Sequence, residues 1–183
     1  MKIRKIAAIA CIFAVLAVAC IGCTEKEQDT GFLDGSWAYN HEPEETAFKV
    51  NGDSAVLDGV KYSCSYDDSY VTLTDKKGNT EKHRYIVDGE EILLYKTAVY
   101  VYSGDSVPDG FYGYWKNDAN WSWEFTAAGE FCEDGYFYGY YSVDEATNAI
   151  KLMYTDHYYD TYIYYTVDGN VLTIEYPWRM VRK

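Results

Sequence analysis

Histidine and acidic side chains are the residues of this chain that could hold a metal ion. His41, His83 and His157 each lack a second histidine or a cysteine at the short spacing of a zinc site. Asp156 and Asp160 flank His157 and could share a cation from one turn, but acidic residues in the turns of an acidic protein are ordinarily solvated. The sequence therefore predicts no metal site, and it contains no cofactor motif.

Glu124 is the acidic residue whose neighbours best fit a catalytic role. It lies between Trp123 and Phe125, which resembles the aromatic-flanked acids of glycosidases. Alternation along a strand would turn its carboxyl group away from both rings, and the sequence identifies no second carboxylate to act with it. The chain also lacks a Gly-x-Ser-x-Gly elbow, a phosphate loop and a dinucleotide fingerprint. We therefore predict that the protein is not an enzyme, with a secreted hydrolase as the least favoured alternative.

The composition indicates an all-β protein that does not bind nucleic acid. In 183 residues, 29 acidic side chains outnumber 16 basic ones, and the net charge of -13 repels phosphate backbones. Tyrosine occurs 21 times, and 14 glycines with only 3 prolines favour strands joined by turns. The length permits one large β domain or two small ones.

The amino terminus has the pattern of an export signal. Basic residues within 2–5 precede an uncharged, mostly apolar segment over 6–22, after which charged residues return. The sequence predicts a signal peptide over residues 1–19 and a mature chain outside the cytoplasm. An uncleaved anchor is the alternative, because the apolar segment reaches the lower length limit of a membrane span.

Two cysteines could carry a lipid after cleavage. Ala17-Val18-Ala19 places small residues directly before Cys20 and resembles the lipobox that marks a cysteine for lipidation, and Cys23 is the rival site. The same small residues also suit ordinary cleavage, which would give a secreted protein. We expect a lipid on Cys20 to attach the protein to the cell membrane through a flexible tether over residues 20–34.

An internal duplication divides the rest of the chain. Several motifs recur in the same order at offsets of 76 to 80 residues. The recurring motifs include Gly35-Ser36-Trp37 with Gly113-Tyr114-Trp115, Asp58-Gly59 with Asp134-Gly135, and Tyr85–Gly89 with Tyr165–Gly169. A period of this length suits a small domain, so the sequence predicts two tandem domains over 31–103 and 107–183.

Each copy has the alternation of an antiparallel β meander. Apolar residues recur at every second position, as in Ile163, Tyr165 and Val167, and glycine stands beside aspartate in the predicted hairpin turns. This pattern predicts about seven or eight short strands in each copy. Because one copy would supply every strand that it needs, we expect residues 107–183 to fold alone.

The Gly-x-Trp motif at the first strand of each copy, followed by a β meander, resembles the lipocalin-like small domains of prokaryotic lipoproteins. The resemblance implies an antiparallel barrel for each copy, with Trp37 and Trp115 each closing one end. It also implies that a basic side chain of the last strand packs across the tryptophan, a role for Arg182 or Arg179 at Trp115. The first copy departs from this pattern, because its last strand over 99–102 has no arginine. Each copy is about half as long as a lipocalin, so we expect shallow barrels filled by side chains.

The first copy guides the choice of outward-facing residues in the second. In the first copy, the polar residues within 60–65 mark the positions of a strand that face solvent. Positions 76 residues later, in the strand after Asp134-Gly135, are assigned to the same faces. The transfer predicts Tyr136, Tyr138 and Tyr140 in the core and Phe137, Gly139 and Tyr141 outside. At an offset of 80, Lys82 and Arg84 become Tyr162 and Tyr164. Neighbouring strands would then form one exposed ligand or partner patch made of Phe137, Tyr141, Met153, Tyr162 and Tyr164.

Two classes of function fit these features. The first is a lipid-anchored, non-catalytic binding module that presents the aromatic patch to a glycan, a peptide or a small apolar ligand. The second is a structural or partner-binding lipoprotein whose patch meets another protein or a second copy of the chain. We favour the first class, because an excess of exposed aromatic residues suits ligand contact.

Overall fold

The computed structural model describes residues 32–106, 108–156 and 159–183. Every helix or strand in these ranges is a β-strand, so the all-β prediction is confirmed. The predicted signal peptide, most of the tether and both candidate lipidation sites, Cys20 and Cys23, lie outside the described residues. The described ranges contain no helix long and apolar enough to cross a membrane.

Each copy of the repeat contributes seven strands. The strands of the first copy are β1 Gly35–Tyr39, β2 Phe48–Asn51, β3 Ser54–Leu57, β4 Val60–Tyr66, β5 Tyr70–Thr74, β6 Thr80–Asp88 and β7 Glu91–Tyr102. Those of the second are β8 Gly113–Lys116, β9 Ser122–Phe125, β10 Glu130–Glu133, β11 Phe137–Asp144, β12 Ala149–Tyr154, β13 Thr161–Asp168 and β14 Val171–Arg182. Consecutive strands pair antiparallel, and pairing of β1 with β14 closes the sheet into one ring.

The two longest strands, β7 and β14, also pair with each other across the ring. Their register runs from Val101 opposite Val171 to Glu91 opposite Val181. Lys96 and Tyr176, which are equivalent at an offset of 80, lie opposite each other near the middle of this register. The two copies are therefore related by an approximate twofold axis at this point.

The β7–β14 pairing separates two hydrophobic cores. The first core is built from β1 to β7 but includes Met180 from β14, which is fully buried. The second core is built from β8 to β14 but includes Tyr100 from β7. Each long strand thus contributes to both cores, and the segments 31–103 and 107–183 are not separate in their strand pairing.

The tryptophan of each Gly-x-Trp motif is buried and held in the same way. The indole Nε1 of Trp37 donates to the Leu33 carbonyl oxygen at 2.9 Å, and that of Trp115 donates to the Phe111 carbonyl oxygen at 2.7 Å. A buried indole N–H needs such a partner, because an unpaired donor is costly to desolvate. The repeat is therefore preserved at the level of hydrogen bonding.

The expectation that Arg182 or Arg179 packs across Trp115 is wrong. The Arg182 guanidinium lies 4.3 Å from the ring centroid of Trp37 instead, because the end of β14 pairs with β1. Trp115 is covered by Tyr102 of β7, whose ring centroid lies 5.3 Å from that of the indole. Tyr102 and Arg182 are equivalent at an offset of 80, so each copy covers the tryptophan of the other.

The transferred register of β11 is also wrong. In the first copy a two-residue turn joins β3 to β4, with Leu57 opposite Val60. In the second copy three residues separate Glu133 from its partner Phe137. One extra turn residue moves every following side chain to the other face. The residues predicted for the core, Tyr136, Tyr138 and Tyr140, are accordingly exposed, whereas Gly139 is buried and Tyr141 packs against the second core.

Candidate functional site

Three of the five residues of the predicted patch lie together at one cavity. Phe137, Tyr162 and Tyr164 line it, from β11 and β13. Tyr141 does not, because it packs against the second core and its hydroxyl donates to the Thr126 carbonyl oxygen at 2.6 Å. Met153 is half-buried on β12 and is not part of the lining. The structure thus replaces the predicted patch with a concave site.

The cavity, here called the tyrosine cavity, has a volume of about 600 Å³. Its aromatic lining consists of Tyr95, Phe137, Tyr154, Tyr159, Tyr162, Tyr164 and Tyr176. Ile86, Leu93 and Pro177 add aliphatic surface, and Glu133, Asp160 and Arg179 add charge. A volume of this size lies within the range of small-molecule sites, which are mostly apolar with a few polar groups.

The tyrosine cavity forms where β13 separates from β14. These strands pair from Tyr164 opposite Glu175 onward, so the start of β13 lies apart from β14 as that strand continues along β7. Tyr154 and Tyr176 line the cavity from the open end of the second core. Leu93 and other residues of β6 and β7 line it from the face of these strands that points away from the first core. The site is therefore made by both copies.

A hydrogen-bonded carboxyl group marks the floor of the tyrosine cavity. The Tyr154 hydroxyl donates to Glu133 Oε2 at 2.7 Å and lies 3.4 Å from the Tyr176 hydroxyl oxygen. Burial raises the pKa of Glu133 to about 7 despite this hydrogen bond. Burial likewise raises the pKa of Tyr176 to about 12 and that of Tyr154 well above its ordinary value. Near neutral pH the two tyrosines are phenols and the carboxyl group is partly protonated.

The charged residues at the rim of the tyrosine cavity are already paired. Arg179 Nη1 donates to Glu91 Oε2, and Lys151 Nζ lies 2.5 Å from Asp160 Oδ2. These pairs leave aromatic faces, hydroxyl groups and Glu133 to contact a ligand. Aromatic faces supply contact area and hydroxyl groups supply orientation, which suits binding.

An equivalent cavity of about 490 Å³ lies at the matching end of the first copy. Its lining includes Asp58, Tyr62, His83 and Lys96. Lys96 Nζ lies 2.6 Å from Asp58 Oδ2 and also donates to the Tyr39 hydroxyl, so a charged side chain of the protein occupies this end.

Across the residues that the structure describes, no three histidine, cysteine, aspartate or glutamate side chains are grouped to hold a metal ion, and His157 is not among those residues.

The sequence reasoning missed the floor of the tyrosine cavity. Comparison of the copies carried a signal for it, because Leu57 becomes Glu133 at an offset of 76 and Lys96 becomes Tyr176 at an offset of 80. A carboxyl group at a position that is apolar and buried in the first copy marks a chemical difference between the equivalent ends of the two copies. Glu124, the predicted candidate for catalysis, is exposed on β9 and does not line the cavity.

Comparison with models of protein families, with characterised proteins and with solved structures finds no match for this chain.

Proposed function

We propose that this protein is a non-catalytic binding module whose ligand lies in the tyrosine cavity. The observation that carries the proposal is the convergence of seven aromatic side chains on one concave site of about 600 Å³. Monomeric proteins seldom leave so much aromatic surface accessible without use. A glycan ring, a peptide side chain or a small apolar molecule could stack on these rings.

The binding module is proposed to work outside the cytoplasm. The basic residues, the apolar segment and the small residues before Cys20 support an export signal with a lipid on that cysteine. The β7–β14 pairing across the single ring, with one hydrophobic core on each side of it, supports the proposal of two small lipocalin-like barrels, each completed by the long strand of the other copy. Mass spectrometry of the native protein tests the anchor: a chain that starts at Met1, or at Cys20 without lipid, contradicts it.

Binding in the tyrosine cavity can be tested with N-phenyl-1-naphthylamine, a neutral apolar fluorophore. We expect saturable fluorescence enhancement with one site per chain, because the lining excludes water from the dye. Leu93→Trp places a large ring in the cavity and should weaken this binding at least tenfold. Val101→Trp is the matched control on the same strand, because Val101 is exposed and lies outside the cavity. Equal binding by the two variants contradicts the proposal.

One observation favours the second class, a surface that meets a protein partner. Tyr138 and Tyr140 are 53% and 55% exposed on the outer face of β11, away from the tyrosine cavity. Tyr114 and Trp121 are exposed as well. Light scattering decides between the classes: concentration-dependent self-association that Tyr138→Ser with Tyr140→Ser abolishes supports the second class, and a monomer that binds the fluorophore supports the first.

A further inference from the structure

The floor of the tyrosine cavity carries an acidic group that no cation balances in the part of the chain that the structure describes. Glu133 accepts a hydrogen bond from Tyr154 and forms no ion pair there. The other charged residues of the lining, Asp160 and Arg179, each have a partner of opposite charge. Glu133 is therefore the group whose charge remains for a ligand to neutralise.

The first copy shows what an ammonium group does at the equivalent end. Lys96 Nζ lies 4.8 Å from the ring centroid of Tyr39 and 5.2 Å from that of Trp178. It also lies 2.6 Å from Asp58 Oδ2. An ammonium held by two aromatic rings and one carboxylate is a stable arrangement, because ring faces carry partial negative charge.

At the equivalent end of the second copy, the rings of Tyr154 and Tyr176 lie beside the carboxyl group of Glu133, and no lysine is among the described residues that line the cavity. Tyr176 stands where the first copy has Lys96, and Glu133 stands where it has Leu57. Among the described residues, the titratable groups that interact with Glu133 are Tyr154 from β12, Tyr176 from β14, Tyr100 from β7 and the neighbouring Asp134. These groups are neutral or acidic, so none of them supplies the missing positive charge.

We propose that the ligand of the tyrosine cavity is an organic cation, an amine or quaternary ammonium compound whose charge lies between Glu133 and the rings of Tyr154 and Tyr176. The proposal rests on the proposed function, because it names the ligand class of the same cavity. The cation would stabilise the half-buried carboxylate and contact ring faces at the same time. The net charge of -13 adds long-range attraction for cations.

Choline and its uncharged isostere 3,3-dimethyl-1-butanol test the charge of the ligand, since they have nearly the same shape. In NMR titrations of the full chain, we expect choline to bind at least about tenfold more tightly than the alcohol. Glu133→Gln should reduce this ratio to about one, because it removes the charge and keeps the shape. Glu130→Gln is the matched control, since Glu130 is exposed on the same strand, and it should leave the ratio unchanged.

The pH dependence gives a second readout. Binding of choline should deprotonate Glu133, so its affinity should rise between pH 6 and 8 and calorimetry should detect proton release. The alcohol should show neither effect. Equal affinities for the two compounds, or a preference for choline that survives Glu133→Gln in a folded variant, overturn the proposal.

The two proposals fail in different ways. If the full chain binds N-phenyl-1-naphthylamine in the cavity but does not prefer choline, the cation proposal is wrong and the binding function stands. If Leu93→Trp leaves binding of the fluorophore intact, the binding function is wrong as well.

Discussion

The equivalent ends of the two copies differ in what fills them. In the first copy, Lys96 reaches across to Asp58 and Tyr39, so side chains of the protein satisfy one another. In the second copy, Tyr176 and Glu133 leave a larger cavity whose acidic group has no cationic partner among the described residues. The same architecture thus presents two chemically different ends, because a few differences at equivalent positions decide whether a lysine of the protein pairs with the acidic group there.

The cores differ in a complementary way. Ala55 pairs with Tyr62 in the first copy, whereas Phe131 pairs with Gly139 at the equivalent place in the second. The large and the small residue have changed strands, which conserves the volume that the pair fills. Both copies therefore pair one large residue with one small residue at this place, although the ends beside it differ.

Dividing the copies should have the largest effect. Without the first copy, residues 107–183 lack Tyr100 and Tyr102, which help to cover the second core, and the end of β14 loses β1. We expect this segment to show no cooperative urea unfolding by circular dichroism, whereas the full chain unfolds cooperatively. A cooperative transition of the segment alone would restore the independent domain that the repeat predicts.

Gly139→Ala should destabilise the second core strongly. A Cβ atom at this position would lie 2.3 Å from the Met153 carbonyl oxygen and 2.6 Å from Phe131 Cε1. We expect a loss of about 3 kcal/mol in the free energy of unfolding, because the backbone contact cannot relax. Gly135→Ala is the control in the same hairpin: its φ is +72° with no atom within 4 Å, so it should cost only about 1 kcal/mol. Equal losses would refute the packing argument.

Glu133→Gln should stabilise the protein in a pH-dependent way. Because the pKa of Glu133 is raised to about 7 in the fold, the folded state binds more protons than the unfolded state between about pH 4.5 and 7. The penalty for the buried carboxylate is absent below this window and complete above it. Urea unfolding should show little difference at pH 4 and a gain on the order of 2 kcal/mol for the variant at pH 8. Glu130→Gln should show no such trend, and a trend shared by both variants would contradict this account.

Arg182→Ala should have the smallest effect and should act on the other copy. It removes the guanidinium above Trp37 and its hydrogen bonds to the carbonyl oxygens of Asp34 and Phe32. Because the group is partly exposed, we expect a loss of about 1 kcal/mol, with a change in the fluorescence of Trp37. Lys49→Ala, an exposed change on β2, controls for loss of positive charge. An unchanged free energy of unfolding would show that Arg182 does not stabilise the packing around Trp37.

The sequence by itself determined the class of fold, the repeat and the hairpins. Period-two alternation and Asp-Gly turns act over a few residues, so they can be recognised without knowing what a strand packs against. Asp58 and Gly59 adopt positive φ of 48° and 80°, as a tight hairpin turn requires. The repeat also identified Tyr162 and Tyr164 as exposed candidates, because they align with the polar residues Lys82 and Arg84.

Only the tertiary structure decided how the copies share strands and which faces point inward. An antiparallel strand of twelve residues such as β7 can pair with any strand of matching length, and nothing in its own sequence specifies β14 as its partner. That pairing placed Arg182 on Trp37 and brought both copies to the tyrosine cavity. The register of β11 depended on one additional residue in a turn, and a shift of one residue exchanges the two faces of a strand. The sequence also could not identify the residues at the floor of the tyrosine cavity. Glu133, Tyr154 and Tyr176 lie on three different strands and come together only in the folded sheet.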